Sequence, residues 1–250
     1  MQLLLSCAKT MTDSTAVHVP FTTRPSHEAE ASRLALQLAE LTTEEVESLL
    51  RVNRQIALEN QLRYRHFHDA DTTALPAILA YTGIVFKRLM PEDFTTDDFK
   101  YTQEHLNITS FLYGLLRPLD LIRNYRLEGD AVLPDNNGQS MFAFWRPRLT
   151  DELIARIQAD DGILVNLASE EMKKLFDWKR VCREVQVVTP DFRVWKDGKL
   201  KNIVIYTKMC RGEMTRYILK HRLSDPEDLK GFTWEGFRWE EGQNRFVNGL

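Results

Sequence analysis

The sequence predicts a mixed α/β (α+β) fold: one compact domain with a central mixed sheet and peripheral helices. Two short apolar runs, at residues 2–6 and 163–168, are typical of buried strands. Amphipathic stretches with helical spacing lie between them, and alternating segments flank an Asp197-Gly198 turn. Because strands from both ends of the chain need the same sheet and no linker divides it, we expect one domain over residues 1–250.

The composition is that of an ordinary globular protein, with 43% hydrophobic and 28% charged residues in a chain of 250. No apolar run is long enough to span a bilayer, and the N-terminus lacks the basic segment of a signal peptide. The chain has three cysteines, Cys7, Cys182 and Cys210, and this odd, sparse count without a secretion signal favours reduced thiols. None of them lies in a C-x-x-C pair, so there is no zinc signature. We therefore expect a cytoplasmic protein with no membrane partner.

Helix-capping residues and prolines predict the helices and strands in the first third of the chain. After the first strand, residues 11–25 contain two prolines and predict an irregular segment. Ser26 caps a predicted helix, and a capping box that begins at Thr42 starts another, which we expect to reach about Arg65. The pattern then predicts a second strand and a short helix, at residues 76–81 and 83–89.

Residues 95–128 predict a helix, a sharp break and a second short element. Thr95 caps the helix, Gly114 tolerates the positive φ that ends one, and Pro118 prevents its continuation. We therefore predict a helix-hairpin-helix-like turn at residues 114–118 with Arg117 at its tip. Backbone N–H groups beside arginines can hold a phosphate. The alternative is a plain buried corner with arginines at the surface.

The second half again alternates helices and strands. A predicted helix begins with the aromatic residues of segment 142–145 and ends near Gly162. The strand at residues 163–168 is followed by a helix that Ser169 caps, and polar residues after a strand lie where open α/β sheets place their sites. The pattern then predicts two strands, a helix and a final hairpin, at residues 182–189, 199–208, 212–222 and 232–247.

Charge is unevenly distributed along the chain. The net charge is −3, but residues 193–222 carry nine basic and two acidic side chains, a net of +7. Residues 225–241 carry six acids and two basic residues, a net of −4. A basic face of this kind can bind a polyanion locally, and it is also what a solvated hairpin and helix look like.

The sequence offers little sign of a metal. His66 and His68 stand two residues apart with Asp69 beside them, but no third well-placed ligand accompanies them. We predict no metal site and no cofactor.

Six motifs, spread over nearly the whole chain, resemble those of a bacterial family and occur in that family's order. They are Ser6-Cys7-Ala8-Lys9-Thr10, Leu112-Tyr113-Gly114-Leu115-Leu116-Arg117-Pro118-Leu119-Asp120, Tyr125-Arg126-Leu127-Glu128, Phe144-Trp145, Val165-Asn166-Leu167-Ala168-Ser169 and Arg211-Gly212-Glu213-Met214-Thr215-Arg216. On these motifs the chain resembles the peroxide-stress proteins named after YaaA.

The resemblance implies a cytoplasmic protein that supports survival of hydrogen peroxide and limits free iron. It also implies DNA binding through a helix-hairpin-helix element and a basic cleft. Two departures stand out: Cys7 replaces a proline of the family pattern, and Met209-Cys210 replaces a Lys-Ala pair. The second departure removes one positive charge from the implied cleft.

The first functional hypothesis is a non-enzymatic, DNA-binding stress protein. Its partner is double-stranded or bent DNA, and since phosphate contacts carry no sequence information, binding is shape-directed or non-specific. The side chains expected to line one cleft and contact phosphates are Lys9, Arg117, Arg126, Lys208, Arg211 and Arg216.

The second hypothesis is an enzyme of unknown reaction that acts on a small anionic substrate in a pocket around Lys9, Glu128 and Asn166. Glu128 is either a general base or the counter-ion of an arginine. The other candidate residues of this pocket are Ser6, Thr10, Tyr113 and Ser169. A third hypothesis is redox sensing by Cys7 or Cys210. The sequence does not indicate the oligomeric state.

Overall fold

The computed structural model describes residues 1–249 and confirms the mixed α/β class, with helices packed around a mixed sheet. The helices in that range are α1 Glu28–Ala39, α2 Thr43–Leu50, α3 Arg54–Arg65, α4 Ala77–Ala80, α5 Ile84–Leu89, α6 Thr96–His105, α7 Met141–Gln158, α8 Trp178–Glu184 and α9 Val204–His221. Short 3₁₀ turns span Pro91–Asp93, Met172–Leu175, Pro226–Gly231 and Glu241–Gln243.

The strands of residues 1–249 form one main sheet and two smaller ones. They are β1 Gln2–Leu5, β2 Leu75–Pro76, β3 Leu106–Ser110, β4 Gly114–Leu116, β5 Leu121–Ile122, β6 Ile163–Asn166, β7 Gln186–Val188, β8 Phe192–Lys196, β9 Lys199–Lys201, β10 Phe237–Glu240 and β11 Arg245–Asn248. The main sheet has the order β4-β3-β1-β6-β7, the second β10-β11-β8-β9, and β2 pairs with β5.

The main sheet is parallel except for one edge strand. Leu3 of β1 lies opposite Leu106 of β3 on one side and Val165 of β6 on the other, both in parallel pairing. β7 adds parallel to β6, whereas β4 runs antiparallel to β3. The carboxyl ends of β1, β3, β6 and β7 therefore meet at one edge of the sheet, where sheets of this kind place their ligands.

The expected helical hairpin at residues 114–118 is a β-hairpin. The helix capped by Thr95 ends at His105, and the next five residues form β3, which is buried along its whole length beside β1. Gly114 has φ +75°, as expected, but it starts β4, and a Cβ there would lie 2.8 Å from the Trp145 ring. A run of apolar residues is compatible with a central strand as well as with a helix. Here the pairing of these residues with β1 makes them a strand.

Other predicted boundaries shift for local reasons. The helix expected from Thr42 to Arg65 is two helices, because Arg51 takes a left-handed conformation and Asn53 caps a new start. A strand was expected at residues 76–81, but the strand β2 ends at Pro76 and the short helix α4 follows it. Residues 182–184 belong to α8, which Asp177 caps, and α9 already begins at Val204. Ser169 is followed by a 3₁₀ turn instead of a capped α-helix.

Helix α9 is the element that brings the basic segment to the main sheet. It packs against α5 and against β8 of the second sheet. A Cβ at Gly212 would lie 2.3 Å from the Val85 backbone oxygen, so only glycine allows this approach. Among the described residues, no helix combines the length and the apolar character that crossing a membrane requires.

Candidate functional site

A cavity of about 370 Å³ opens at the carboxyl edge of the main sheet, and we call it the strand-end pocket. The loop that leaves β1, residues 6–10, lines it together with Leu167 and Ser169 beyond β6. Residues 83–85 at the start of α5 and residues 125–127 also line it. Helix α9 contributes Lys208 and Arg211. The pocket therefore lies where the parallel strands predict a site.

A buried carboxylate holds two of the cations near the pocket. Lys9 Nζ donates to both oxygens of Glu128, at 2.8 and 2.7 Å, and the Lys9 side chain is 59% exposed. The Glu128 side chain is only 5% exposed, and Arg126 Nη2 lies 3.6 Å from its Oε1. The hydroxyl of the buried Tyr64 donates to the Arg126 carbonyl and fixes this segment. Glu128 thus serves as counter-ion to both Lys9 and Arg126.

The two cations of α9 have no such partner. Lys208 and Arg211 are three residues apart and share one helix face. Within residues 1–249 neither side chain forms an ion pair, and the acidic side chain whose charge acts on Arg211 is Glu170. Burial lowers the pKa of the Arg211 guanidinium, and Glu170 only partly opposes this. A partly buried charge without a counter-ion is costly unless a ligand supplies one.

The inner wall of the pocket is apolar. It is formed by Ile84, Val85, Phe111, Leu127, Leu167 and Met172. Tyr125 also lines it, and its hydroxyl is already engaged with Tyr81 Oη at 2.8 Å and Ser110 Oγ at 2.7 Å. Burial raises the pKa of Tyr125 well above its ordinary value, so the ring presents a neutral surface.

The polar residues expected at the strand ends are brought together, but in different roles. Ser6 and Ser169 line the pocket, and the Ser169 amide donates to Ser6 Oγ at 2.9 Å. Thr10 lies at the exposed rim. Asn166 is 1% exposed, and its Oδ1 accepts from the Ala168 amide at 3.2 Å. The Asn166 side chain therefore shapes the turn after β6 and lies behind the pocket lining.

The expectation that six cations line one cleft is corrected for two of them. Lys9, Arg126, Lys208 and Arg211 line the strand-end pocket. Arg117 follows β4, and because that strand is antiparallel, it lies at the opposite edge of the sheet near Gln2 and Arg156. Arg216 forms a two-pronged ion pair with Asp93.

Tyr113 also lies outside the pocket. It is 3% exposed, and its hydroxyl accepts from the Arg123 amide at 3.0 Å. Burial raises its pKa. The side chain holds the segment after β5 in place and belongs to the core.

The cysteines do not have the electrostatics of a redox sensor. Burial raises the pKa of the Cys7 thiol to about 12, and Glu171 and Glu128 add to this. Burial also raises the pKa of Cys210, although Lys208 and Arg211 are its neighbours in the sequence. Cys182 is exposed on α8. The thiolate is the reactive form, so the raised pKa disfavours reaction at both Cys7 and Cys210.

The histidine pair of residues 66 and 68 is held by separate partners. His66 Nδ1 lies 2.7 Å from Asp69 Oδ2, while His68 Nε2 lies 2.8 Å from Ser32 Oγ. In the described part of the chain, no three His, Cys, Asp or Glu side chains are grouped to hold a metal ion.

Some residues of the pocket were not found from the sequence. Glu171 lies in the lining, and its position just after a predicted strand end is a signal that could have identified it. Ile84 and Val85 carried no signal, because their place depends on the packing of α9 over α5.

Fold and site together define a mixed α/β protein with a cation-lined pocket at the carboxyl ends of its parallel strands. The profile described as peroxide stress protein YaaA matches residues 1–243, and the chain belongs to that family. Membership of this family supports a role in the response to oxidative stress.

Three relatives show how far the similarity extends. A UPF0246 protein of Bacteroides thetaiotaomicron is 59% identical over 255 residues, which cover 100% of this chain and 99% of the relative. One of Porphyromonas gingivalis is 50% identical, covering 95% and 93%. One of Burkholderia thailandensis is 36% identical, covering 96% and 94%.

Proposed function

We propose that this protein serves the oxidative stress response by binding a small anionic ligand in the strand-end pocket. The observation that carries this proposal is Arg211, which is partly buried at the pocket and has no counter-ion within residues 1–249. An anion bound there supplies the missing charge, and a charge-assisted hydrogen bond to arginine is among the strong ones.

The shape of the pocket favours a small ligand over a duplex. A cavity of about 370 Å³ lies within the range of about 300–1,000 Å³ that small-molecule sites occupy. Glu128 already neutralises part of the charge of Lys9 and Arg126, so the free positive charge is concentrated at Arg211 and Lys208. In this proposal Glu128 acts as a counter-ion and orients Lys9.

Isothermal titration with inorganic phosphate and with pyrophosphate tests this proposal. We expect binding that Arg211→Ala weakens at least about tenfold, since a hydrogen bond to a charged group contributes about 1.5–3 kcal/mol. Arg117→Ala is the matched control, because it removes an exposed arginine at the opposite edge of the sheet. Anion binding that is equal in both variants would contradict the proposal.

DNA is the second candidate ligand, and the exposure of two lysines favours it. Lys9 is 59% exposed and Lys208 is exposed at the rim, where the phosphates of double-stranded or bent DNA can reach them. Such binding does not read sequence and weakens steeply with salt. In either case we propose that limitation of iron-dependent damage follows from ligand binding.

Fluorescence anisotropy with a labelled duplex and a labelled gapped DNA separates the two candidates. If DNA is the ligand, binding at about 50 mM salt should fall by orders of magnitude at about 200 mM. Lys9→Ala and Lys208→Ala should weaken it more than Arg117→Ala. Phosphate binding without DNA binding would contradict the DNA proposal and support the small-ligand proposal.

A further inference from the structure

The strand-end pocket has two chemically different ends. Lys9 and Lys208 in its lining are exposed and Arg211 is partly buried, and we call this cationic part the mouth. Most of the apolar inner wall, including Tyr125, is buried. A ligand that only brings charge fills the mouth and leaves this inner wall in contact with water. A ligand that matches both ends has an anionic group joined to an apolar or aromatic body.

The charge at the pocket indicates a dianion. Four cations line the pocket, and two carboxylates, Glu171 in the lining and Glu128 paired with Lys9, oppose them. Glu170, whose charge acts on Arg211, is itself paired with Lys173, so the formal charge at the pocket is +2. A phosphate monoester carries about −1.5 to −2 near neutral pH, whereas a carboxylate carries only one negative charge. A phosphate monoester therefore balances this pocket better than a carboxylic acid does.

The inner wall suits a flat ring. Tyr125 is held by hydrogen bonds to Tyr81 and Ser110, so its orientation is fixed before a ligand arrives. Met172 lies in the same lining, and a thioether and an aromatic ring are both favourable surfaces for a planar, polarisable group.

We propose that the strand-end pocket binds a free mononucleotide. The phosphate lies between Arg211 and Lys208, and the base packs against the inner wall at Ile84 and Tyr125. This inference rests on the proposed function, because it names the chemical class of the anion that the same pocket holds.

Isothermal titration of the full chain with the four common nucleoside monophosphates, with the matching nucleosides and with inorganic phosphate tests the inference. At least one monophosphate should bind about tenfold or more tightly than both its nucleoside and phosphate. Arg211→Ala should weaken the monophosphate and phosphate alike. Ile84→Asn should weaken the monophosphate alone, since Ile84 lies in the apolar wall, and Arg117→Ala should change neither.

The outcomes distinguish mononucleotide binding from the more general anion binding on which it rests. Arg211-dependent phosphate binding with no gain for any monophosphate overturns the mononucleotide and leaves anion binding intact. Binding of a short single-stranded oligonucleotide without binding of any mononucleotide also overturns it. If no anion binds to a folded protein, both the inference and the proposed function fail. Thermal unfolding of each variant shows that it is folded.

Discussion

Two partly buried arginines, one at each edge of the main sheet, differ in whether they have an acidic partner. At the amino-terminal edge of the parallel strands, Arg156 donates to Glu152 Oε1 at 2.5 Å and to Asn107 Oδ1 at 2.9 Å. At the carboxyl edge, Lys208 and Arg211 have no acidic partner in the described range. Both edges are built from the same strands, so the sheet itself does not cause the difference. The paired Arg156 supports the fold, whereas Arg211, which is partly buried at the pocket without an ion pair, is available to a ligand.

Removing the acid at the paired edge should have the largest effect on stability. In Glu152→Gln, Arg156, which is 13% exposed, loses its counter-ion, and breaking such a pair leaves a buried charge. We expect the free energy of unfolding to fall by about 2–3 kcal/mol, with anion binding unchanged. Urea unfolding measures the loss. The exposed pair of Glu44 and Arg54 supplies the control, since Glu44→Gln should leave the midpoint where it is.

The ion pair that anchors α9 should show a smaller effect that depends on pH. Burial alone raises the pKa of Asp98, but Lys220 at 2.8 Å and the Thr95 amide outweigh it and lower the pKa to about 2. Because the folded pKa is depressed, ionised Asp98 stabilises the fold above pH about 4. This contribution, about 2 kcal/mol, is lost as pH falls from about 4 to about 2.

Urea unfolding of Asp98→Asn at pH about 6 and pH about 3 tests this pH dependence. The variant should lose less stability on acidification than the unmodified protein does. Asp97→Asn, an exposed acid in the same helical turn, is the control and should behave as the unmodified protein. Equal acid sensitivity in all three would show that Asp98 does not anchor α9.

Replacing the unpaired cation should give the smallest change, with the opposite sign. Arg211→Met removes a charge that burial makes costly and keeps a long side chain in its place. We expect a gain of about 0.5–1 kcal/mol in unfolding free energy together with loss of anion binding. A destabilised variant would mean that Arg211 supports the fold, as Arg156 does.

Local signals in the sequence account for much of the fold and for part of the pocket lining. The apolar runs at residues 2–6 and 163–168 predicted β1 and β6, which end at Leu5 and Asn166. The capping box at Thr42 and the cap at Thr95 start helices as expected. Each of these signals lies within a few residues of its effect. Lys9 followed from the same reasoning, since it comes just after a strand.

What the sequence did not reveal depends on partners that are far apart in the chain. The pairing of Arg216 with Asp93 spans 123 residues, and it decides that this arginine is occupied. The placement of Arg117 depends on the antiparallel direction of β4, which only the register with β3 fixes. Neither partner is recognisable from spacing or periodicity, because both arise from packing in the folded state.

The state of the three thiols gives this protein a natural labelling position. The thiols of Cys7 and Cys210 are protonated at neutral pH, whereas Cys182 is exposed on α8. A maleimide dye reacts with the accessible thiolate, so it should attach at Cys182 in the unmodified chain. Helix α8 leads directly into β7 at the edge of the main sheet. A single fluorophore there allows ligand titrations at nanomolar protein concentration without engineering the sequence.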